Sequence, residues 1–231
     1  MTADEKASIA RFLDLAAAAA AGGYRSGITE YNYSDDTETC RAADSMEQIT
    51  TDVHDCRKCR LCETRKNTVP GEGAENPVVM VIGEGPGADE DAAGRPFVGR
   101  AGQLLDKMLA AIELSRDSNC YIANMIKCRP PGNRDPQGDE TEACAPFLER
   151  QIQLLNPRFI LCAGKISAQK LLKTGDSMWK LRGKFFDFEA GGRKIPLIAT
   201  YHPSALLQHE EWKRPAWEDL KLLRKAIDEM A

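Results

Sequence analysis

The stretch PVVMVIGEGPGADEDAAGRPFVGRAGQLLDKMLAAIEL, residues 77–114, decides how the chain folds. It opens on a short apolar run rich in β-branched residues, which reads as a buried strand. It closes on QLLDKMLAAIEL, whose apolar positions recur at helical spacing. Between them, Gly83 to Gly102 holds six glycines and two prolines around four carboxylates and one phenylalanine. A strand, a glycine-rich loop and a helix in that order open an α/β unit.

Working outward, apolar β-rich runs fall at 78–82, 120–126, 159–163 and 195–200. Helical segments at 101–113, 138–155 and 165–173 separate most of them, and a last helix spans 213–229. This alternation predicts a parallel sheet covered by helices on both faces. The segment GKFFDFEAGGRKIPLIAT reads as a hairpin turning at Gly191–Gly192, with its second arm feeding the fourth strand. DSMEQITTDVHDC carries an Asp or Ser cap ahead of a short helix, so a compact domain is expected over residues 44–231. Residues 1–43 read as an acidic N-terminal extension. It has an Ala-rich helix over 5–21 and a polar, Gly-rich linker over 22–43 without a sustained period. There is no internal repeat.

Charge is distributed unevenly over the 231 residues. Residues 1–50 hold nine acids and four bases, net −5, and the remainder holds 26 acids and 27 bases, net +1. The acidic balance therefore belongs to the N-terminal segment and does not count against a polyanionic ligand for the rest. No apolar run approaches the ~18 residues that a membrane span needs. The N-terminus lacks the basic and apolar regions of a secretory signal, so a cytoplasmic location is expected.

The glycine loop has two nucleotide-binding competitors, and neither fits. A P-loop requires Gly-Lys-Ser/Thr before the helix, which is missing. Pro86 interrupts the dinucleotide spacing and removes an amide donor, while Glu84, Asp89, Glu90 and Asp91 would repel phosphate. On composition alone the loop is a solvated turn. Phe97, in RPFVG, changes that reading: an exposed aromatic beside a backbone-rich loop is a stacking platform for a planar ligand. The competing role for Phe97 is a plug under the loop.

TYHPSALL, residues 200–207, ends the fourth strand and contains one of only three histidines. Parallel α/β sheets bind ligands at the carboxyl ends of their strands. The loop from Gly83 to Gly87, the ANMIKC segment from Ala123 and His202 are therefore expected at one mouth. Of eight cysteines, Cys56 and Cys59 have chelating spacing, and Cys128 and Cys144 flank a Pro- and Gly-containing stretch. Four thiolates of this kind suit zinc or an iron–sulfur cluster, and spacing does not choose between them. Cys62 would extend the first pair, Cys120 and Cys162 read as core, and Cys40 lies in the linker.

In order and spacing, CRKCRL, GEGPGADEDAAGRPFVGRAGQLL, YIANMIKCRPPGNRDP, EAC, KLRGKF and YHPSALL closely resemble the family-four uracil-DNA glycosylases, the iron–sulfur branch of that superfamily. The resemblance runs from Cys56 to the C-terminus. It implies an α/β fold, a three-layer α/β/α sandwich with a central four-stranded parallel sheet. It also implies a [4Fe–4S] cluster on Cys56, Cys59, Cys128 and Cys144, with Cys62 spare. The implied activity is excision of a flipped-out uracil from DNA. Phe97 would stack on the base, Asn124 would read its edge, and the main chain at Gly83, Glu84 and Gly85 would bind its oxygens. Glu90 would lie beside C5, and His202 would stabilise charge on O2. Where other branches carry a water-positioning Asp or Asn, this chain has Gly85, leaving Glu84, Glu90 or a backbone carbonyl to activate water. Leu206 is the expected wedge into the DNA stack, and the competing role is a core residue packed beside Leu207. The expected partner is uracil-containing DNA, met by a monomer without a membrane. The covalent branch of the superfamily is disfavoured because PPGNRDPQGDE contains no histidine. An iron–sulfur redox module or a zinc-stabilised nucleic-acid-binding protein would have no use for Phe97, Asn124 and His202 together.

Overall fold

The computed structural model describes residues 44–230. The expected N-terminal helix, linker and Cys40 lie outside the described residues. In chain order the elements are α1 Met46–Asp55, β1 Glu72–Gly73, β2 Val79–Gly83, α2 Ala88–Ala93 and α3 Arg100–Ala110. Then come β3 Cys120–Asn124, α4 Gly138–Leu155, β4 Phe159–Ala163, α5 Lys165–Leu171 and α6 Met178–Leu181. Last are β5 Phe185–Ala190, β6 Arg193–Thr200, α7 Pro203–Gln208 and α8 Lys213–Glu229.

The strands form one six-stranded mixed sheet in the order β1-β3-β2-β4-β6-β5. The pairs β2–β3, β2–β4 and β4–β6 are parallel, and the two edge pairs, β1–β3 and β5–β6, are antiparallel. The sheet is thus larger than the four strands expected. One added strand is the first arm of the Gly191–Gly192 hairpin. The other, β1, spans only two residues and has no periodicity to read.

Every residue of β2, β3 and β4 is buried, as the continuous apolar runs require for strands covered on both faces. Alternate residues of β2 enter different clusters. Met80 and Ile82 pack with Leu148 and Ile152 of α4, while Val79 and Val81 pack with Leu105 and Leu109 of α3 and Leu220 and Leu223 of α8. Local signals set the helix ends. Ser45 accepts from the Gln48 N–H to cap α1, and the Glu140 carboxylate accepts from the Gln137 N–H at the start of α4. Among the described residues no helix is long and apolar enough to cross a membrane.

Within the glycine loop the structure contains a short helix, α2, that the loop reading missed. Its left-handed end falls at Gly94. Asp91 on this helix is not a solvated loop acid. It is buried and accepts from the Lys66 and Asn67 N–H groups, at 2.8 and 3.3 Å.

Candidate active site

The carboxyl ends of the parallel strands deliver the site. Gly83 ends β2, Asn124 ends β3, and His202 follows β6 by two residues. They meet at a cleft of about 350 Å³, within the size range of small-ligand pockets. Its lining includes Glu84, Gly85, Glu90, Phe97, Asn124 and His202, with Arg134 and Asp135 from the loop before α4. Main-chain hydrogen bonds from Met125 to Gly83 O (3.1 Å) and from Ile126 to Glu84 O (3.2 Å) hold the glycine loop against the β3 extension. A Cβ at Gly83 would strike Asn124 Oδ1 and lie 2.6 Å from Phe97 Cζ, so only glycine lets these two side chains share the pocket floor.

Asn124 is 2% exposed, and among the described residues its Oδ1 has no hydrogen-bond partner. A buried acceptor without a donor costs ~1–3 kcal/mol, and a ligand N–H recovers that cost. Phe97 is 5% exposed, so it is not the open platform expected but a buried wall of the cleft, its ring centroid 5.5 Å from that of His202. Its backbone has φ +52°, a left-handed conformation that costs a bulky residue ~1–3 kcal/mol.

His202 is half-buried, and desolvation pulls its pKa down to about 4, so the ring is neutral at neutral pH. Behind it, Thr200 donates to the buried Asp219 at 2.9 Å. Arg182, from the KLRGKF segment, donates two hydrogen bonds to that same carboxylate. The strand end that precedes His202 is thereby tied to α8.

The two glutamates part company. Both Glu90 carboxylate oxygens are taken by the main chain. One accepts from the Gly87 N–H (3.1 Å), the other from the Val98 and Gly99 N–H groups (3.2 and 3.3 Å). Glu90 therefore ties the loop's two ends together, with both carboxylate oxygens engaged by main-chain N–H groups. Glu84 keeps its carboxylate in the cleft. Burial, assisted by Asp135 and opposed by Lys165, raises its pKa to about 7.

Leu206, the expected wedge, does not reach the surface. It is 3% exposed and packs into the core with Tyr201 and Ala216, whereas Leu207 is 43% exposed. Helical geometry in α7 turns adjacent residues about 100° apart, so only one of the two can face out.

Beyond the inner wall lies a second hollow, lined by Cys56, Cys59, Cys62, Cys128 and Cys144 with Lys58, Arg65 and Lys127. Arg65 Nη1 donates to Cys128 Sγ at 3.0 Å, and the Lys127 N–H donates to Cys144 Sγ at 3.2 Å. Burial raises the pKa of Cys59, Cys128 and Cys144, the last to about 11, so a metal entering here would displace protons. Among the described residues no three His, Cys, Asp or Glu side chains form a group that could hold a metal ion. The sulfurs ring a hollow, and its cation-rich lining suits thiolate charge. Lys127 is fully buried and donates to Asn124 O (2.9 Å) and Gln151 Oε1 (2.7 Å), so it joins this wall to the strand bearing Asn124.

The pattern of the uracil DNA glycosylase superfamily matches residues 70–221, which include every cleft residue named above. The chain belongs to that superfamily. It is 41% identical over 182 residues to the type-4 uracil-DNA glycosylase of Archaeoglobus fulgidus, covering 77% of this chain and 91% of that one. It is 43% identical to the type-4 enzyme of Sulfurisphaera tokodaii (79% and 84%) and 41% identical to that of Thermotoga maritima (79% and 94%). Phe97, Asn124 and His202, singled out from the sequence, are brought together. Asp91 and the Arg182–Asp219 tie were missed, because each acts through partners 24 or more residues away in sequence.

Proposed function

We propose that this chain is a uracil-DNA glycosylase of base-excision repair, which hydrolyses the N-glycosidic bond of a flipped-out uracil and leaves an abasic site. The observation that carries this reading is Asn124, which lines a cleft with Phe97 and His202 and whose buried Oδ1 has no hydrogen-bond partner among the described residues. An extruded pyrimidine fits such a pocket, since base chemistry cannot be reached inside the duplex. Uracil N3–H supplies the donor that Oδ1 lacks, and the amide nitrogen can donate to O4. Cytosine N3 carries no such hydrogen. Phe97 covers the ring, and main-chain groups at Gly83, Glu84 and Gly85 border its oxygens. Neutral His202 donates to O2 as charge grows there, and Glu84 accepts a proton from water attacking C1′.

In this reading Cys56, Cys59, Cys128 and Cys144 hold a [4Fe–4S] cluster, and Cys62 is spare. The four sulfurs lining one hollow and the N–H···S hydrogen bonds support it. When bound, the cluster supplies iron–thiolate bonds that tie residues 56–62 to the wall behind Asn124, a structural contribution coupled to folding. Residues 44–231 are the glycosylase domain, a three-layer α/β/α sandwich on four parallel inner strands. It acts as a monomer on uracil-containing DNA in the cytoplasm.

The test is direct. Purified protein is incubated with a uracil-containing oligonucleotide, and abasic sites are cleaved with alkali. Scission at uracil, and none in the thymine-containing control, is expected. An intact uracil strand rejects the reading.

A further inference from the structure

We propose that Arg116, which lies outside the cleft, is a positioning residue that holds Phe97 in its left-handed conformation and so fixes the face on which a pyrimidine stacks. This rests on the reading of Phe97 as the base-stacking wall. Three observations carry it. First, Phe97 has φ +52°, a conformation a bulky residue keeps only when its surroundings over-determine it. Second, Arg116 donates to both carbonyls that flank this strained step. Nη1 reaches Pro96 O at 2.9 Å and Nη2 reaches Phe97 O at 3.0 Å.

Third, the guanidinium is locked from behind. Nη1 also donates to Glu72, while Nε and Nη2 donate to Asp106 Oδ1 at 3.1 and 2.7 Å. All five of its N–H donors are accounted for. Glu72 is itself gripped by Arg95, at 2.7 and 3.0 Å. The side chain of Arg116 is only 11% exposed, so the guanidinium itself is shielded from water, with Glu72 mostly buried beside it and Asp106 on the solvent side.

The remaining sides of the Phe97 peptide are held independently. Gly102 of α3 seats against Phe97 O so closely that any Cβ there would overlap it. Glu90 holds the two N–H groups that follow. Among these restraints Arg116 alone combines a charge-assisted grip on the Phe97 carbonyl with no lining position in the cleft. Its removal therefore reaches the reaction through the set of the Phe97 ring.

The experiment compares single-turnover uracil excision, and inhibition by free uracil, for Arg116→Ala, Arg116→Lys, Phe97→Ala, the Arg116→Ala/Phe97→Ala double variant and Arg95→Ala. Phe97→Ala and Arg116→Ala are each expected to slow excision about ten- to a hundredfold, the size of a lost base–aromatic stack. Both should weaken inhibition by free uracil. In the double variant Arg116→Ala should add less than about twofold, because its effect passes through a ring already removed. Arg116→Lys keeps the charge but cannot fork across two carbonyls, so its loss should be intermediate. Arg95→Ala loosens Glu72 but leaves both carbonyl contacts of Arg116 in place, so its loss should be smaller than that of Arg116→Ala. Multiplying losses in the double variant would overturn the proposal and give Arg116 a general structural role. So would a wild-type rate in Arg116→Lys, which also decides the matter if Arg116→Ala does not fold. A wild-type rate in Phe97→Ala would instead overturn the stacking reading, and the proposal with it.

Discussion

Ser204 donates its main-chain N–H to His202 Nδ1 at 3.2 Å, with its hydroxyl 2.7 Å from that same nitrogen. An Nδ1 that accepts a hydrogen bond leaves the proton on Nε2. Burial lowers the imidazolium pKa to about 4, so this neutral tautomer persists across the physiological range. A neutral N–H donor gains strength only as the leaving base gains charge, and its contribution falls on the transition state. His202→Ala should lower the single-turnover rate about 10²–10³-fold, the usual effect of one such donor. Affinity for uracil DNA should change little. Rapid-quench kinetics beside a binding titration checks this, and a wild-type cleavage rate removes His202 from the chemistry.

Glu84 sets the expected pH dependence. As the group that takes a proton from water it works only when ionised, and its pKa stands at about 7. The excision rate should rise with pH through about 7 and level off above it, with no step near pH 6 from the neutral His202. Glu84→Gln should slow excision and flatten that rise. Stability runs the other way. The folded pKa lies above the ordinary 4.5, so the folded state binds the proton more tightly. Stability from this group is then lost as pH rises from about 4.5 through 7. Glu84→Gln should therefore melt higher than wild type at pH 8 and the same at pH 4. A lower melting temperature at pH 8 contradicts the buried-carboxylate account.

The cysteine hollow yields a prediction independent of catalysis. Protein purified without oxygen should carry about four irons and four sulfides. Cys128→Ser removes the sulfur that Arg65 grips, and iron and soluble yield should both fall, because metal ligation is coupled to folding. Cys62→Ser should retain the iron, although Cys62 lines the same hollow. Iron, sulfide and zinc assays decide, and stoichiometric zinc in a colourless protein overturns the cluster.

The sheet's interior was legible because strands buried on both faces must be continuously apolar, as in VVMVI and FILCA. The mouth was legible because chain topology carries Gly83, Asn124 and His202 to one edge whatever their side chains do. What the sequence hid was direction and distance. Nothing in RPFVG reveals that Phe97 turns inward at positive φ, or that the restraint comes from Arg116, 19 residues on. Glu90 and Asp91 are adjacent acids in a polar run, yet the first closes the loop's own ends and the second caps a chain segment 24 and 25 residues upstream. Composition assigns both to solvent, and only the folded main chain shows the N–H groups they serve.

The same limit governs the wedge. HPSALL resembles the superfamily's intercalation loop, and the fourth residue after His202 is Leu206, which the structure buries beside Tyr201 and Ala216. A side chain committed to the core cannot enter a DNA stack without opening that core. Leu207 is the exposed apolar side chain of this loop, on the turn that begins at His202. The two variants should therefore separate. Leu206→Ala removes buried methyl groups and should destabilise the fold by about 2–5 kcal/mol, slowing U·A, U·G and single-stranded substrates alike. Leu207→Ala should leave the melting temperature nearly unchanged. A wedge helps only where extrusion leaves a hole, and unstacking costs most in a normal pair. Its excision should accordingly slow most on U·A, less on U·G and least on single strands. Three rates and one melting curve per variant measure this. If Leu207→Ala slows all three substrates equally, or none, the loop contacts DNA without filling the gap.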